Sequence, residues 1–384
     1  MAFTVQGFAR KLRGLREQYG NTLSEVAERT GIDTQALQAM EAGTATPAGD
    51  EVLILADFFK CEFPWLIEDD ATNPDENVTM LLRSEGGRLA ASDRHAIAEF
   101  LHLCKSQALL EEMSGHRAIW EEFQFTPRGK FFKGHGIDCA KALREHHNLA
   151  PNAIIPDIFD WLRKSGLRVF RRALPSSTIS GLFVRHPEAG RCVLINYNDD
   201  IYRQRFSAAH EAGHALLDAD KRYNVSGVND ASSDEYIELR ASTFASCFLM
   251  PPELLKKFGD ADWWRQPDKV AEVAGRLFVS IPALLSALKR DKILDEQAVA
   301  MIKAARPRLP HKQEPELMGD YTAPQLERKK ALISNGLHTT YVEKVLDAHR
   351  QSHISQAKAA NMLLVEPGEI ADIAALFGTS LHHG

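Results

Sequence analysis

The sequence predicts a multidomain chain: an all-α N-terminal module, a central α+β domain and a helical C-terminal tail. Three observations predict it. At 384 residues the chain is longer than one typical core. Its first 66 residues place apolar side chains at helical spacing between capping residues. From about residue 135 short apolar runs separated by turn residues alternate with helical patterns, and after a Pro-rich joint (ARPRLPHKQEPE) the chain reads as helical again. The expected divisions are 1–68 for the N-terminal module, 69–134 for a linker and connecting helix, 135–305 for the central domain and 306–384 for the tail.

Hydrophobic residues at 44% and charged residues at 26% fit a soluble globular protein. A net charge of −6 argues against a chain that coats nucleic acid without sequence preference, because neutralising phosphates takes a basic excess. Cys61, Cys104, Cys139, Cys192 and Cys247 are odd in number and form no CxxC pair, so they read as reduced thiols of a cytoplasmic protein. No segment has the apolar length of a membrane span, and no membrane partner is expected.

In the N-terminal module, Phe8, Leu12 and Leu15 share one face of a first helix, and Thr22 is a candidate N-cap ahead of Leu23, Val26 and Ala27. Gly31 suits a helix end and Asp33 the start of the next helix, TQALQAMEAG. The order and spacing of LSEVAERTGIDTQALQAMEAGTATP resemble the lambda-repressor/Cro-like, or XRE-type, helix-turn-helix DNA-binding domain. Glu41, Gly43 and Pro47 stand at places that family favours. The resemblance covers residues 8–66 and implies a reading helix around Thr34 to Met40, with Thr34, Gln35 and Gln38 as DNA contacts. Residues 1–66 hold six Lys/Arg against nine Asp/Glu, a net of −3. Four of the six basic residues fall in the first helix, where they are expected to touch phosphates. Dimerisation or docking of a partner is the alternative use of the same fold.

DDATNPDENVT (69–79) reads as a linker, and SDRHAIAEFLHLCKSQALLEEM as one helix that packs on the next domain or pairs with a second copy of the chain. His95 and His102 in it fit no ligand pattern and read as surface or packing residues. GLRVFRRAL, TISGLFVRH and RCVLINYN read as strands, with turns at Gly166, Gly181 and Pro187–Gly190. Residues Cys192 to Asn196 are expected to offer an edge that an extended peptide joins.

RFSAAHEAGHALLDAD carries the chemistry. His210 and His214 are four apart on a helix and share a face, with Glu211 one step round. HExxH on a helix is the pattern of two zinc ligands and a general base, so a zincin-like metallopeptidase fold is expected around Zn2+. The third ligand is sought on the helix after Ser233. Glu238 lies at the edge of the stripe formed by Ile237, Ala241, Phe244, Ala245 and Phe248, and Asp234 and Glu235 are competitors. Tyr202, Arg203 and the histidines near 146 are candidates for a second oxyanion donor.

YRQRFSAAHEAGHALL followed by ELRASTFASCFLMP resembles the ImmA/IrrE family of zinc metallopeptidases over roughly residues 135–290. Carried over, His210 and His214 are zinc ligands, Glu211 the catalytic base, and Glu238 the third ligand with Glu235 left open. Where that family commonly has Glu before the Ala and Asn after it, this chain has Arg240 and Ser242. The resemblance implies a regulatory peptidase that cuts a DNA-binding repressor or antitoxin-like protein, with the N-terminal module placing it on operator DNA or on that partner. The alternative is an XRE-type regulator or antitoxin in which the zinc domain is a sensor or partner-binding scaffold.

Overall fold

The structure, a computed structural model, describes residues 3–69, 89–115, 123–129, 131–175, 179–218, 223–227, 235–309 and 312–378. The N-terminal module holds α1 (Val5–Tyr19), α2 (Leu23–Thr30), α3 (Thr34–Glu41), α4 (Gly49–Phe58) and α5 (Phe63–Ile67). The expected caps are made. Thr22 and Glu25 form a reciprocal capping box at α2, Gly31 ends α2 at φ 73°, and Asp33 accepts from the backbone N–H groups of Gln35 and Ala36. Phe8, Leu12, Val26, Leu37, Leu55 and Phe59 are buried together as its core.

Residues 70–79 of the expected linker lie outside the described residues. The connecting helix α6 (Ala91–Met113) is buried on several sides, polar residues such as Asp93, His95 and Gln107 included, and its packing explains why. On one side His95 sits against Tyr19 and Phe58, with its Nε2 2.8 Å from Asn21 Oδ1. On other sides Phe100 meets Phe170 of the sheet, and His102 Nε2 bonds the Asn361 carbonyl of the tail at 3.1 Å. Both histidines are packing residues, and much of the helix's apolar surface is covered by its own chain, with Leu109 and Met113 staying exposed.

Then come α7 (Phe132–His146), α8 (Ile158–Lys164), β1 (Arg168–Arg172), β2 (Ile179–His186), β3 (Gly190–Asn196), α9 (Ile201–Leu217), β4 (Tyr223–Gly227) and α10 (Glu235–Leu249). The strand order is β1-β3-β2-β4; β3 runs parallel to β1, and the β2–β3 and β2–β4 pairs are antiparallel. Two expectations are corrected here. Residues Cys192 to Asn196 are not an open edge, because β3 is paired on both sides, as its apolar CVLI run suits. Gly181 is not a turn but an interior residue of β2. The strand β4, YNVSG, was not foreseen: it is short and has no apolar alternation.

The sheet divides two cores with period-two alternation. Phe170, Leu182, Val184, Cys192 and Leu194 face α6 and the tail. Val169, Phe183, Val193 and Ile195 face α9 and α10. Further helices complete this second core: α11 (Pro252–Leu255), α12 (Ala261–Trp264), α13 (Pro267–Arg276), α14 (Ile281–Arg290) and α15 (Glu296–Ala304).

The Pro-rich joint is laid into the central domain by ion pairs. Lys312 reaches the α9 cap residue Asp200, Glu314 grips Arg171 through both oxygens at 2.7 and 2.9 Å, and Glu316 meets Arg163 at 2.8 Å. The tail follows as α16 (Ala323–Ser334), α17 (Thr339–Arg350), α18 (Gln356–Met362) and α19 (Ile370–Leu376), packed on α6. No single helix among the described residues is long and apolar enough to cross a membrane.

Candidate metal centre

The helix α9 can bury its whole middle because its residues are small. Ala208, Ala209, Ala212 and Ala215 are buried, and a Cβ on Gly213 would stand 3.0 Å from the Phe244 ring and 3.2 Å from Ala241 Cα. The helices α9 and α10 therefore meet closely, bringing α10 side chains over His210 and His214. Arg205, in the Arg-Phe pair before the motif, donates to the carbonyls of Ile155, Pro156 and Phe278 at 2.5–3.0 Å. It ties the start of α9 to two loops and does not face the histidines.

His210 Nε2 lies 3.0 Å from His214 Nε2 and 3.1 Å from Glu238 Oε2, and His214 Nε2 lies 3.3 Å from Glu238 Oε1. One donor atom from each of the three falls within 4.8 Å of the others. Two ring nitrogens facing each other at 3.0 Å beside a carboxylate need a shared proton or cation between them, and this N,N,O set suits zinc. Burial alone would lower the His214 pKa; hydrogen bonds to Asp218 and Glu238 outweigh it and raise it to about 9. Burial likewise opposes ionisation of Glu238, but its hydrogen bonds to both histidines hold it well below the usual carboxylate range.

Among the competitors for third place, Glu238 is the one that meets the histidines. Glu235 is exposed at the first residue of α10, and Asp234 lies outside the described residues. Glu211 is fully buried beside the group, facing β2. A Cβ on residue 181 would come within 3.0 Å of its Cγ and Oε1, so Gly181 is the residue that gives this carboxylate room.

Three further residues touch the centre that the sequence did not single out as part of it. Asp218 Oδ2 is 2.8 Å from His214 Nδ1, Arg240 bonds the other Asp218 oxygen, and Ser242 Oγ is 3.2 Å from His210 Nδ1. The signal was present: Asp218 is four residues past His214, and Arg240 and Ser242 are the two departures from the resembled pattern. The candidate oxyanion donors have the following surroundings. Tyr202 is buried two turns before His210, Arg203 bonds Ser180 Oγ at 2.7 Å, His146 lies tilted against Phe123, and His147 meets Trp161 edge-on.

On the N-terminal module, Gln35 and Gln38 are exposed along α3 and Thr34 is half-buried, while Leu37, Met40 and Glu41 face inward. The expectation that the four basic residues of α1 serve phosphates is narrowed, because two of them, Lys11 and Arg16, are turned inward while Arg10 and Arg13 stay exposed. Arg16 grips Glu41 through both oxygens at 2.7 and 2.9 Å, and Arg13 donates to the Glu41 carbonyl. Lys11 closes the end of α5 through the Trp65 and Glu68 carbonyls. These cations satisfy acceptors that folding would otherwise leave buried. Arg10 is left facing solvent.

Comparison with known families agrees with both regions. Residues 162–289, which contain all of the converging side chains, match the IrrE N-terminal-like domain of peptidase family M78, and residues 12–66 match a helix-turn-helix model. Among curated proteins no match is found. With the M78 match spanning the HExxH helix and its partner helix, and the other running from within α1 into α5, the chain carries an IrrE N-terminal-like domain behind an XRE-type helix-turn-helix domain.

Proposed function

We propose that the chain is a regulatory zinc metallopeptidase that hydrolyses a peptide bond in a repressor or antitoxin-like protein. The observation that carries the reading is the convergence of His210, His214 and Glu238 beside a fully buried Glu211, inside the peptidase-family match. His210 and His214 would hold zinc through Nε2 and Glu238 through a carboxylate oxygen. The chemistry supplied by zinc bound there would be Lewis acidity toward a carbonyl oxygen and toward water.

Glu211 works as the general base. Its carboxylate takes the proton of the attacking water and returns it to the leaving amine nitrogen. Its position between α9 and β2, with Gly181 beneath it, keeps the carboxylate away from bulk water and in one orientation. The sheet edge nearest β2 is β4, which can accept an extended substrate segment as an added strand.

The helix-turn-helix domain brings the peptidase to its target. With Lys11 and Arg16 turned inward and only Arg10 and Arg13 of α1 exposed, a protein target is favoured over operator DNA, in keeping with the docking use of this fold. The test compares new protein N-termini in cells carrying the wild-type chain or Glu211→Gln at equal abundance. A small set of termini found only with wild type supports the reading and names the substrate. Identical termini under stress and at rest would sink it, and leave the regulator or antitoxin reading.

A further inference from the structure

We propose that Asp218, anchored by Arg240, is the positioning residue that fixes His214 for metal binding; this rests on the metallopeptidase reading of the centre. His214 turns Nε2 towards His210 and Glu238, and turns Nδ1 towards Asp218 Oδ2 at 2.8 Å. A neutral imidazole that presents the Nε2 lone pair carries its proton on Nδ1, and a carboxylate acceptor there favours that tautomer and locks the ring plane.

The same residue also holds His214 through the main chain. Asp218 ends α9, and its backbone N–H bonds the His214 carbonyl at 2.9 Å. Its carboxylate is 3% exposed, and burying such a group is costly unless both oxygens are satisfied. Arg240 satisfies the second, donating Nη2 to Oδ1 while Oδ2 serves the ring.

Arg240 lies on α10, two residues beyond Glu238. The pair therefore joins the two helices that supply the ligands, at the level of the ligands. His210 is held differently: its Nδ1 meets the neutral Ser242 hydroxyl at 3.2 Å. The two histidines are thus supported unequally, and His214 has the stronger acceptor.

The test titrates metal-free full-length protein with zinc against a chromophoric chelator, with thermal melting of each metal-free form measured alongside. Asp218→Ala should weaken zinc binding about 10–100-fold, beyond any change in metal-free melting. Asp218→Asn, which keeps an acceptor for Nδ1–H, should recover part of that loss. Arg240→Ala should weaken binding less and add nothing on top of Asp218→Ala, because it acts through Asp218. Ser242→Ala should have the smallest effect. Variants that bind zinc as tightly as wild type, or Asp218 and Arg240 effects that simply add, would overturn the assignment. If Asp218→Ala does not fold, the Asn and Arg240 variants decide by the same criteria. Folded wild-type protein that takes up no zinc overturns the metal-centre reading, and this assignment with it.

Discussion

His210, His214 and Glu238 leave two different helices and meet at one point, whereas Lys11, Arg13 and Arg16 leave one helix and turn back onto their own module. Both regions match a family, so both have the scaffold for a function. They differ in what the scaffold does with its polar side chains. In the central domain, ligand-type atoms face one another at a spacing that asks for a cation. In the N-terminal module, two cations that a phosphate backbone would use, Lys11 and Arg16, are spent on carbonyls and on Glu41, and Arg13 is shared between Glu41 and solvent. Similar fold-level evidence therefore supports unequal functional conclusions, because function depends on what the side chains are free to do.

The largest effect should break or confirm the chemical half of that comparison. Glu211→Gln is expected to lower peptide-bond hydrolysis by about 10²–10⁴-fold while zinc uptake stays at the wild-type level. Turnover on an identified substrate and metal content of the same sample measure both. Loss of zinc together with activity would mean Glu211 supports the metal rather than the proton transfer.

Next in size is the attachment of both outer regions to α6. Burial, reinforced by nearby cations such as Arg29 and Lys60, pushes His95 and His102 down to about 4, against an ordinary value of 6.5. As pH falls through 6.5 the unfolded chain takes up protons that the folded chain refuses. Stability is therefore full above that pH and drains away towards pH 4. Each ring is expected to cost about 2 kcal/mol by about pH 5. Urea midpoints measured from neutral to acidic pH should fall, and His95→Phe should flatten the dependence. A flat wild-type profile would show that these rings are not held neutral.

Much of this was legible beforehand, and the misses have physical causes. HExxH brings His210 and His214 together because a helix forces residues four apart onto one face, and their Nε2 atoms lie 3.0 Å apart. Glu238 was visible as a carboxylate at the edge of a buried stripe, but only the α9–α10 approach at Gly213 separates it from Glu235. Gly181 was misread as a turn because glycine marks both turns and close approaches; here the approaching group is Glu211. The place of β3 inside the sheet depends on long-range pairing, which local pattern does not specify. The packing of α6 among three regions was likewise unreadable: its apolar stripe announces burial without saying by what, and the burial of Asp93, His95 and Gln107 on its other sides depends on long-range contacts.

A smaller effect tests whether the α1 cations are structural. Removing one partner of the Arg16–Glu41 pair, with Glu41 buried and Arg16 partly exposed, should destabilise the module by roughly 2–3 kcal/mol. Arg16→Ala is expected to make residues 5–67 more sensitive to limited proteolysis while metal uptake is unchanged. A variant that resists proteolysis like wild type would return Arg16 to the pool available for phosphate.

The smallest expected effect is the most direct measure of what the helix-turn-helix domain binds. Each phosphate neutralised on duplex DNA contributes about −0.9 to the slope of log K against log salt. With Arg10 facing solvent and Arg13 partly committed to Glu41, α1 can offer one or two such contacts, so any DNA binding should show a slope of about −1 to −2. Gln35 and Gln38 add base-edge hydrogen bonds without steepening it. Fluorescence anisotropy on labelled duplexes across a salt series measures this. A slope several times steeper would show cations from another region or a second copy reaching the DNA, and would restore the reading of α3 as part of an operator-binding surface. A shallow slope with weak binding would leave the exposed face of α3 to a protein partner, because a surface that has spent its cations internally has little left with which to displace counterions.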